Sequence, residues 1–402
     1  MRVLMISDVH FPRINGVSTS IESFRQALAE LGVSVTVVAP AYAQNHHDDA
    51  GIVRVPARRV PFDPEDRLMR PVKLSRALAS HRDVDLVHIQ TPFAAHYAGL
   101  RHARRLGAPC LATYHTHFEE YLHHYLPALP KNLLSACART LARRQCNALD
   151  AVIVPSEAMR ATLLAYGVTT PLYRVPTGIP LAHFQSDAVA PCRAARAEFR
   201  ARFAIPDAAP VALYVGRAAF EKNIGFLLEA LQHALVQRPE LILVIAGEGP
   251  ALPALREQAA HLGIASQVRF VGYLDRQREL PACYAAADVF VFASRTETQG
   301  LVLLEAMAAG LPVLAFSCLG TREIVEPRRG ALPAPQEAPA FAAALTALID
   351  APRRRAAMAR EGRAFAAAWR IEACALRLAK VYRHVLARPR LSSWCNGFVM
   401  TP

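Results

Sequence analysis

Glu297 and Glu305 bracket a glycine in Ser294-Arg295-Thr296-Glu297-Thr298-Gln299-Gly300-Leu301-Val302-Leu303-Leu304-Glu305. An apolar run, 289–293, precedes this segment. Gly300 opens a helix whose first amides can face an anion. Glu305 lies about 7.5 Å along that helix, and its side chain leans back toward the helix start. Two carboxylates therefore flank a helix end that prefers phosphate. A carboxylate accepts two hydrogen bonds, which suits a pair of neighbouring sugar hydroxyls. A nucleotide sugar offers that layout: hexose hydroxyls, a diphosphate, then ribose hydroxyls. The competing reading leaves both glutamates facing solvent. Against it, Glu305 sits in an almost wholly apolar helix, where an unpaired carboxylate is costly.

A second segment, Val215-Gly216-Arg217-Ala218-Ala219-Phe220-Glu221-Lys222-Asn223, also follows a strand and precedes a helix. Arg217 as a fork and Lys222 as a point charge could reach one diphosphate and neutralise charge on a departing nucleoside diphosphate. Alternatively they are surface residues, with Lys222 bonded to Glu221 or Asp275. In Asp8-Val9-His10-Phe11-Pro12-Arg13-Ile14-Asn15-Gly16-Val17, Gly16 permits close backbone approach to a ligand. His115 and His117 follow another strand. As metal ligands they lack an acidic or Cys partner at helical spacing, so no metal site is expected. The stretch Thr116–Pro127 is rich in Tyr, His and Leu, which suits a rim facing an amphiphile or an ordered core loop. No G-x-G-x-x-G follows a strand and no G-K-[ST] loop exists, which argues against a nicotinamide cofactor and a P-loop. Asp83-Val84-Asp85 has metal–diphosphate spacing but precedes a strand, so it reads as helix-to-strand punctuation.

These loops need a scaffold that gathers them. Short apolar strands at 2–7, 33–39, 52–55, 86–89, 110–113 and 151–154 alternate with helical patterns. A helix over 18–31 is expected, with Thr19-x-x-Glu22 as its capping box and Gly32 as its stop. A second series has strands at 211–215, 241–246, 268–271, 289–293 and 312–316, and helices at 223–236, 252–261, 278–286, 300–309, 339–349 and 353–387. Alternation with doubly apolar strands means parallel sheets covered on both faces. The expected architecture is α/β: two Rossmann-like domains facing a cleft, 1–185 and 208–365, a linker at 186–207, a helix at 366–388 and a tail at 389–402.

Composition agrees with a folded two-domain chain. There are 402 residues, 53% apolar and 20% charged, and single cores stop growing near ~250 residues. Eight cysteines form no C-x-x-C pair, which reads as buried thiols in a reducing cytoplasm. Residues 2–7 read as a buried strand and not as a signal peptide. The net charge of +13 favours anionic partners such as nucleotides or acidic headgroups, but it is diffuse and gives no nucleic-acid recognition surface. The helix at 131–147 carries Lys131, Arg139, Arg143 and Arg144, with Leu133, Leu134, Cys137 and Leu141 as its apolar stripe. It can lie on an anionic bilayer or simply cover a sheet.

Taken together, the segments resemble the GT-B glycosyltransferases of family 4. The likeness rests on the E-x7-E pattern from Glu297 to Glu305 with the following Ala-Met-Ala-x-Gly-x-Pro, on the GR…EKN segment and on Asn15-Gly16-Val17. It implies a retaining hexosyltransferase using a UDP- or GDP-hexose (glucose or mannose), with no metal and no other cofactor, and a last helix, 366–388, that crosses back to the first domain. By that resemblance Glu297 contacts the donor hexose, Glu305 the ribose, Arg217 and Lys222 the diphosphate, and His115 lies by the donor sugar. The implied donor-binding set is Gly16, Arg217, Lys222, Glu297, Thr298, Gln299, Gly300, Leu301 and Glu305; His115, Arg217, Lys222 and Glu297 are the implied catalytic residues. Glu297-Thr298-Gln299-Gly300 and the Thr116–Pro127 stretch look most like the branch acting on membrane lipids, which includes diacylglycerol glucosyltransferases and GDP-mannose-dependent mannosyltransferases. A lipid or glycolipid acceptor is therefore expected, in the cytoplasm or peripherally on the inner face of the cytoplasmic membrane. Two departures stand out: Gln299 where many members have Phe, and Cys318-Leu319-Gly320 where a Gly-Gly pair is usual. A soluble acceptor, a nucleotide-sugar epimerase and a non-catalytic binding module are the alternatives.

Overall fold

The computed structural model describes residues 1–42, 50–60, 63–115, 130–184, 189–276 and 278–388. Its first sheet has the order β3-β2-β1-β6-β7-β8-β9, all neighbours parallel. The strands are β1 (Arg2–Ile6), β2 (Ser34–Pro40), β3 (Ile52–Val55), β6 (Leu86–Ile89), β7 (Cys110–Thr113), β8 (Ala151–Val154) and β9 (Leu172–Arg174); β4 (Ala57–Val60) and β5 (Asp63–Met69) form a separate antiparallel hairpin. Helices α1 (Gly16–Glu30), α2 (Pro71–Ala79), α3 (Ala94–Leu106), α4 (Lys131–Asn147) and α5 (Glu157–Ala165) accompany them.

Alternation along β1 shows why the sheet is covered twice. Val3 and Met5 join Ile21, Phe24 and Leu28 of α1 on one face. Leu4 and Ile6 join Leu74 and Leu78 of α2 and Ala95 and Ala103 of α3 on the other. Each of the larger of these side chains, when fully buried, contributes roughly 1.5–3 kcal/mol of transfer free energy.

The second sheet runs β12-β11-β10-β13-β14-β15. It comprises β10 (Val211–Val215), β11 (Ile242–Ala246), β12 (Val268–Gly272), β13 (Val289–Phe292), β14 (Val313–Ala315) and β15 (Ala331–Pro333). Around it lie α6 (Val189–Arg202), α7 (Ile224–Leu235), α8 (Leu252–His261), α9 (Glu279–Ala286), α10 (Leu301–Ala308), α11 (Arg322–Val325), α12 (Ala338–Ile349) and α13 (Pro352–Ala367). The last helix, α14 (Ile371–Leu386), returns to the first domain, where Cys374, Leu378 and Tyr382 pack beside α1.

Three expectations need correction. Asn15, not Thr19, caps α1: its Oδ1 accepts the Ser18 amide at 2.8 Å, while Glu22 is turned to Arg25. The stretch 186–207 is not merely a linker, because it contains α6. Arg200 of α6 is buried and donates to the carbonyls of Pro206, Asp207, Ala209 and Ala286 at 2.9–3.0 Å, which fixes α6 to the second domain. The helical pattern over 353–387 breaks between α13 and α14. The hairpin β4–β5 and the edge strands β9 and β15 went unrecognised, since charged residues and prolines mask the hairpin's alternation. The Thr116–Pro127 stretch, His117 and the tail from 389 lie outside the described residues.

The break before α14 has a visible cause. The chain passes from the first domain to the second through Thr177–Pro180 and returns through Trp369–Ile371. These two passes touch, with the Ile179 amide donating to Trp369 O at 2.9 Å and the Ile371 amide to Ile179 O at 3.1 Å. A Cβ on Gly178 would stand 2.4 Å from Ile371 Cα. Gly178→Ala is therefore expected to lower stability by about 1–3 kcal/mol, the usual cost of overpacking. Thermal unfolding checks this, and an unchanged transition would contradict the contact.

Candidate active site

The sequence-predicted residues lie at the carboxyl ends of strands. Gly16 follows β1, His115 follows β7, Arg217 and Lys222 follow β10, and Glu297 to Leu301 follow β13. β1 and β6 are neighbours at which the strand order reverses, as are β10 and β13. Crevices open at such points. Asp83 and Asp85 lie before β6 at the opposite end of the first sheet, where both carboxylates face Arg2.

The structure joins the two strongest signals directly. Lys222 ends a short 3-10 turn, Phe220–Lys222, and Asn223 then takes a left-handed conformation with φ 55°. Asn223 Nδ2 donates to Ala293 O at 3.2 Å, which fastens this turn to the end of β13. Lys222 Nζ thereby comes within 2.6 Å of Glu297 Oε1. Glu305, on α10 behind Gly300, is only 2% exposed. Its Oε1 lies 2.5 Å from Arg276 Nη2, and its Oε2 accepts the Tyr284 hydroxyl at 3.1 Å. Burial and the Glu305 charge raise the Tyr284 phenol's pKa well above its ordinary value, so it stays a donor. Sequence reasoning missed Arg276, because Asp-Arg-Gln-Arg-Glu after β12 reads as solvated punctuation.

The loop after β13 is also tied to the first domain. Thr298 Oγ1 donates to His115 O at 2.9 Å, and Ser156 Oγ donates to Thr298 O at 2.7 Å. Gln299, 4% exposed, grips the Thr177 backbone from both sides, taking its amide and giving to its carbonyl at 2.8 Å each. A phenylalanine at this position could do neither. Arg174 pairs with Glu323 across the same seam at 2.9 Å.

Gly320 lies against the loop so closely that a Cβ would meet Thr298 O at 2.1 Å. Its amide donates to Glu297 O at 2.9 Å. Leu319 holds a left-handed φ of 46°, the conformation a glycine takes freely. Gly16 is exposed with nothing near its missing side chain, so packing does not demand glycine there. Arg217 is half-buried at the end of β10, beside the Lys222 turn.

On the first-domain side, His115 is half-buried, and the loss of solvation lowers its ring pKa to about 4. It is therefore a neutral hydrogen-bonding group at pH 7. Asp8 after β1 accepts from Thr91 Oγ1 at 2.7 Å and from the Ala95 amide near the start of α3 at 3.1 Å. Burial outweighs those bonds and raises its pKa to about 6 from 3.8. The unfolded chain releases this proton near pH 4 and the folded chain near pH 6, so folding takes up a proton in between. Asp8 thus makes stability fall as pH rises from 4 to 6, by about 3 kcal/mol at most, and the loss persists above that window. Asp8→Asn should flatten this decline in denaturant titrations. An unchanged pH profile would contradict the assignment.

Fold and site together define a GT-B glycosyltransferase. A family model described as Glycosyltransferase Family 4 matches residues 14–183, and one described as Glycosyl transferases group 1 matches 195–365. An alpha-monoglucosyldiacylglycerol synthase of Streptococcus pneumoniae is 36% identical over 321 residues, covering 78% of this chain and 71% of that protein. A GDP-mannose-dependent alpha-mannosyltransferase of Mycobacterium tuberculosis is 31% identical over 339 residues, covering 83% of each. HepE of Anabaena, solved with UDP and glucose, superposes with a TM-score of 0.77 at 17% identity over 95% of this chain and 99% of that one. The chain belongs to glycosyltransferase family 4.

Proposed function

We propose that this glycosyltransferase moves a hexose from a UDP- or GDP-sugar, with retention, to a hydroxyl of a membrane lipid or glycolipid. The observation that carries this reading is the convergence at Thr298: Glu297 with its Lys222 partner stands on one side of the seam and His115 on the other. Arg217 and Lys222 hold the diphosphate and Glu305 the ribose. Glu297 and the neutral His115 meet hexose hydroxyls, while backbone at Gly16 and at Thr298 to Leu301 completes the donor site. The acceptor oxygen bonds to the anomeric carbon on the face from which the diphosphate leaves. The C1–O bond to phosphate breaks, and the acceptor proton passes to a donor phosphate oxygen. Charge on the leaving group is met by Arg217 and Lys222, and no metal is assigned a part. The relatives, an alpha-monoglucosyldiacylglycerol synthase and an alpha-mannosyltransferase, are named for alpha linkages, which fits retention.

A lipid acceptor needs access to a bilayer, and α4 supports this. Its apolar residues are split between two sides. Leu134, Ala138, Ala142 and Cys146 face the core, whereas Leu133 and Leu141 are 54% and 49% exposed and Cys137 is exposed between them. Arg139, Arg143 and Arg144 are exposed on the same helix. An outward apolar row beside arginines suits peripheral contact with an anionic membrane, here assigned to the inner face of the cytoplasmic membrane. Among the described residues no helix is long and apolar enough to cross a membrane.

The test is incubation with UDP-glucose, UDP-galactose and GDP-mannose over anionic vesicles containing diacylglycerol or phosphatidylinositol, at low and high salt. Sugar should appear in the lipid phase with one donor, and the enzyme should sediment with vesicles at low salt. Transfer only to soluble sugars, with no sedimentation, would overturn the lipid assignment. A donor converted to its epimer or left intact would overturn the transferase reading.

A further inference from the structure

We propose that Gln90 is a positioning residue for this reaction: its side-chain carbonyl holds the His115 imidazole in the Nε2–H form, which presents Nδ1 as an acceptor for a donor-sugar hydroxyl. The proposal rests on the reading of His115 as a donor-hexose contact. Its geometry comes from the sheet. β6 and β7 are parallel neighbours, with His88 opposite Leu111 and Ile89 opposite Ala112. Continuing that register brings the residues just past β6 beside the last residue of β7. Two polar rungs result. His88 Nε2 lies 2.8 Å from Thr113 Oγ1, and two residues further along each chain His115 Nε2 lies 2.9 Å from Gln90 Oε1. The first rung is anchored from behind, since His88 Nδ1 lies 2.7 Å from the hydroxyl of Tyr382 on α14. The second lies past the carboxyl ends of β6 and β7.

An amide oxygen only accepts, so with Gln90 Oε1 turned toward the ring, the neutral His115 carries its proton on Nε2. Gln90 is 4% exposed, so water does not readily replace it. His115 O is held independently by Thr298, which leaves the ring's tautomer to Gln90. Among the described residues, the titratable and charged groups nearest this ring are His88 on β6, Tyr382 behind it on α14, Asp8 bonded to Thr91 next to Gln90, and, one residue from Thr298, Glu297 paired with Lys222. His88 is held neutral by burial and by proximity to His115, with a pKa lowered to about 3. Among the described residues, neither His88 nor Tyr382 supplies a negative charge that would make His115 an imidazolium.

The experiment compares native enzyme with Gln90→Leu, Gln90→Glu, His115→Ala and the Gln90→Leu/His115→Ala double variant. It uses the donor accepted among UDP-glucose, UDP-galactose and GDP-mannose, from pH 5.5 to 9, with nucleoside diphosphate affinity measured by calorimetry. Imidazole nitrogen shifts of the histidine-labelled protein report the tautomer directly. Expected are an Nε2–H neutral ring in the native enzyme and about 10-fold lower kcat in Gln90→Leu with diphosphate affinity unchanged. The double variant should be no slower than His115→Ala. The near-isosteric Gln90→Glu should raise the His115 pKa and give kcat a rise with pH that the native enzyme lacks. An Nδ1–H ring, full kcat in Gln90→Leu, or losses that multiply in the double variant would overturn the proposal. Full turnover in His115→Ala would instead overturn the donor-contact reading beneath it.

Discussion

The Lys222→Met variant should stay folded and lose about 10²–10³-fold in turnover, the cost of removing one preorganised group that meets transition-state charge. The magnitude separates two roles. The Lys222 and Glu297 side chains are 16% and 17% exposed, and Nζ lies 2.6 Å from Oε1. Lost as a structural contact alone, this mostly buried pair would be read in the melt, with the folded enzyme turning over near the native rate. A loss of about 3–4 kcal/mol in transition-state stabilisation without a matching fall in the melt marks the diphosphate role. Steady-state transfer with the accepted donor and a thermal melt, measured together, decide the matter. Turnover within a few-fold of native would remove Lys222 from the diphosphate. A melt lowered in step with activity would reassign the pair to the fold.

Arg276→Ala should be the most damaging single change to the second domain. Glu305 is 2% exposed, and Arg276 is its cationic partner at 2.5 Å. Burial works against the Arg276 charge, yet the adjacent Glu305 outweighs it and the guanidinium pKa ends above its ordinary value. Removing the arginine leaves a buried carboxylate with the Tyr284 hydroxyl, at a cost of about 3–5 kcal/mol. At about 2–4 °C per kcal/mol for a domain of this size, melting should fall by roughly 6–20 °C. Adding Glu305→Gln should recover much of that loss, because the neutral amide no longer needs a cation. Glu305→Gln alone should weaken nucleoside diphosphate binding and also lower the melt, because it leaves the Arg276 cation without its carboxylate. A melt within 2 °C of native in Arg276→Ala would show that Glu305 needs no such partner.

The apolar strands made the two-domain order readable from sequence, because a buried parallel strand has to be apolar on both faces. Val3, Leu4, Met5 and Ile6 are all 0–1% exposed, and that run is visible without coordinates. Glu305 was legible as a carboxylate that needed a partner, but not which partner. Arg276 reaches it from a loop after a different strand, and nothing in a run of alternating charges marks which arginine turns inward. Gln299 showed itself as a departure from the family. Its grip on both backbone groups of Thr177 depends on a connection 122 positions away. The divided face of α4 was hidden for a simpler reason. Leu133 and Leu134 are adjacent, and helical spacing alone does not reveal how many small residues suffice to cover the sheet.

The contact of Gly178 with Ile371 has a mechanical consequence. Two covalent tethers join the lobes here, and they run side by side through paired amides. Swinging motion that preserves this pairing is restricted to a single axis along the seam, like a door on one pin. The Gln299 clasp on Thr177 sits next to that pin, where lever arms are short. A small swing would displace it little, while the far lips of the crevice would part widely.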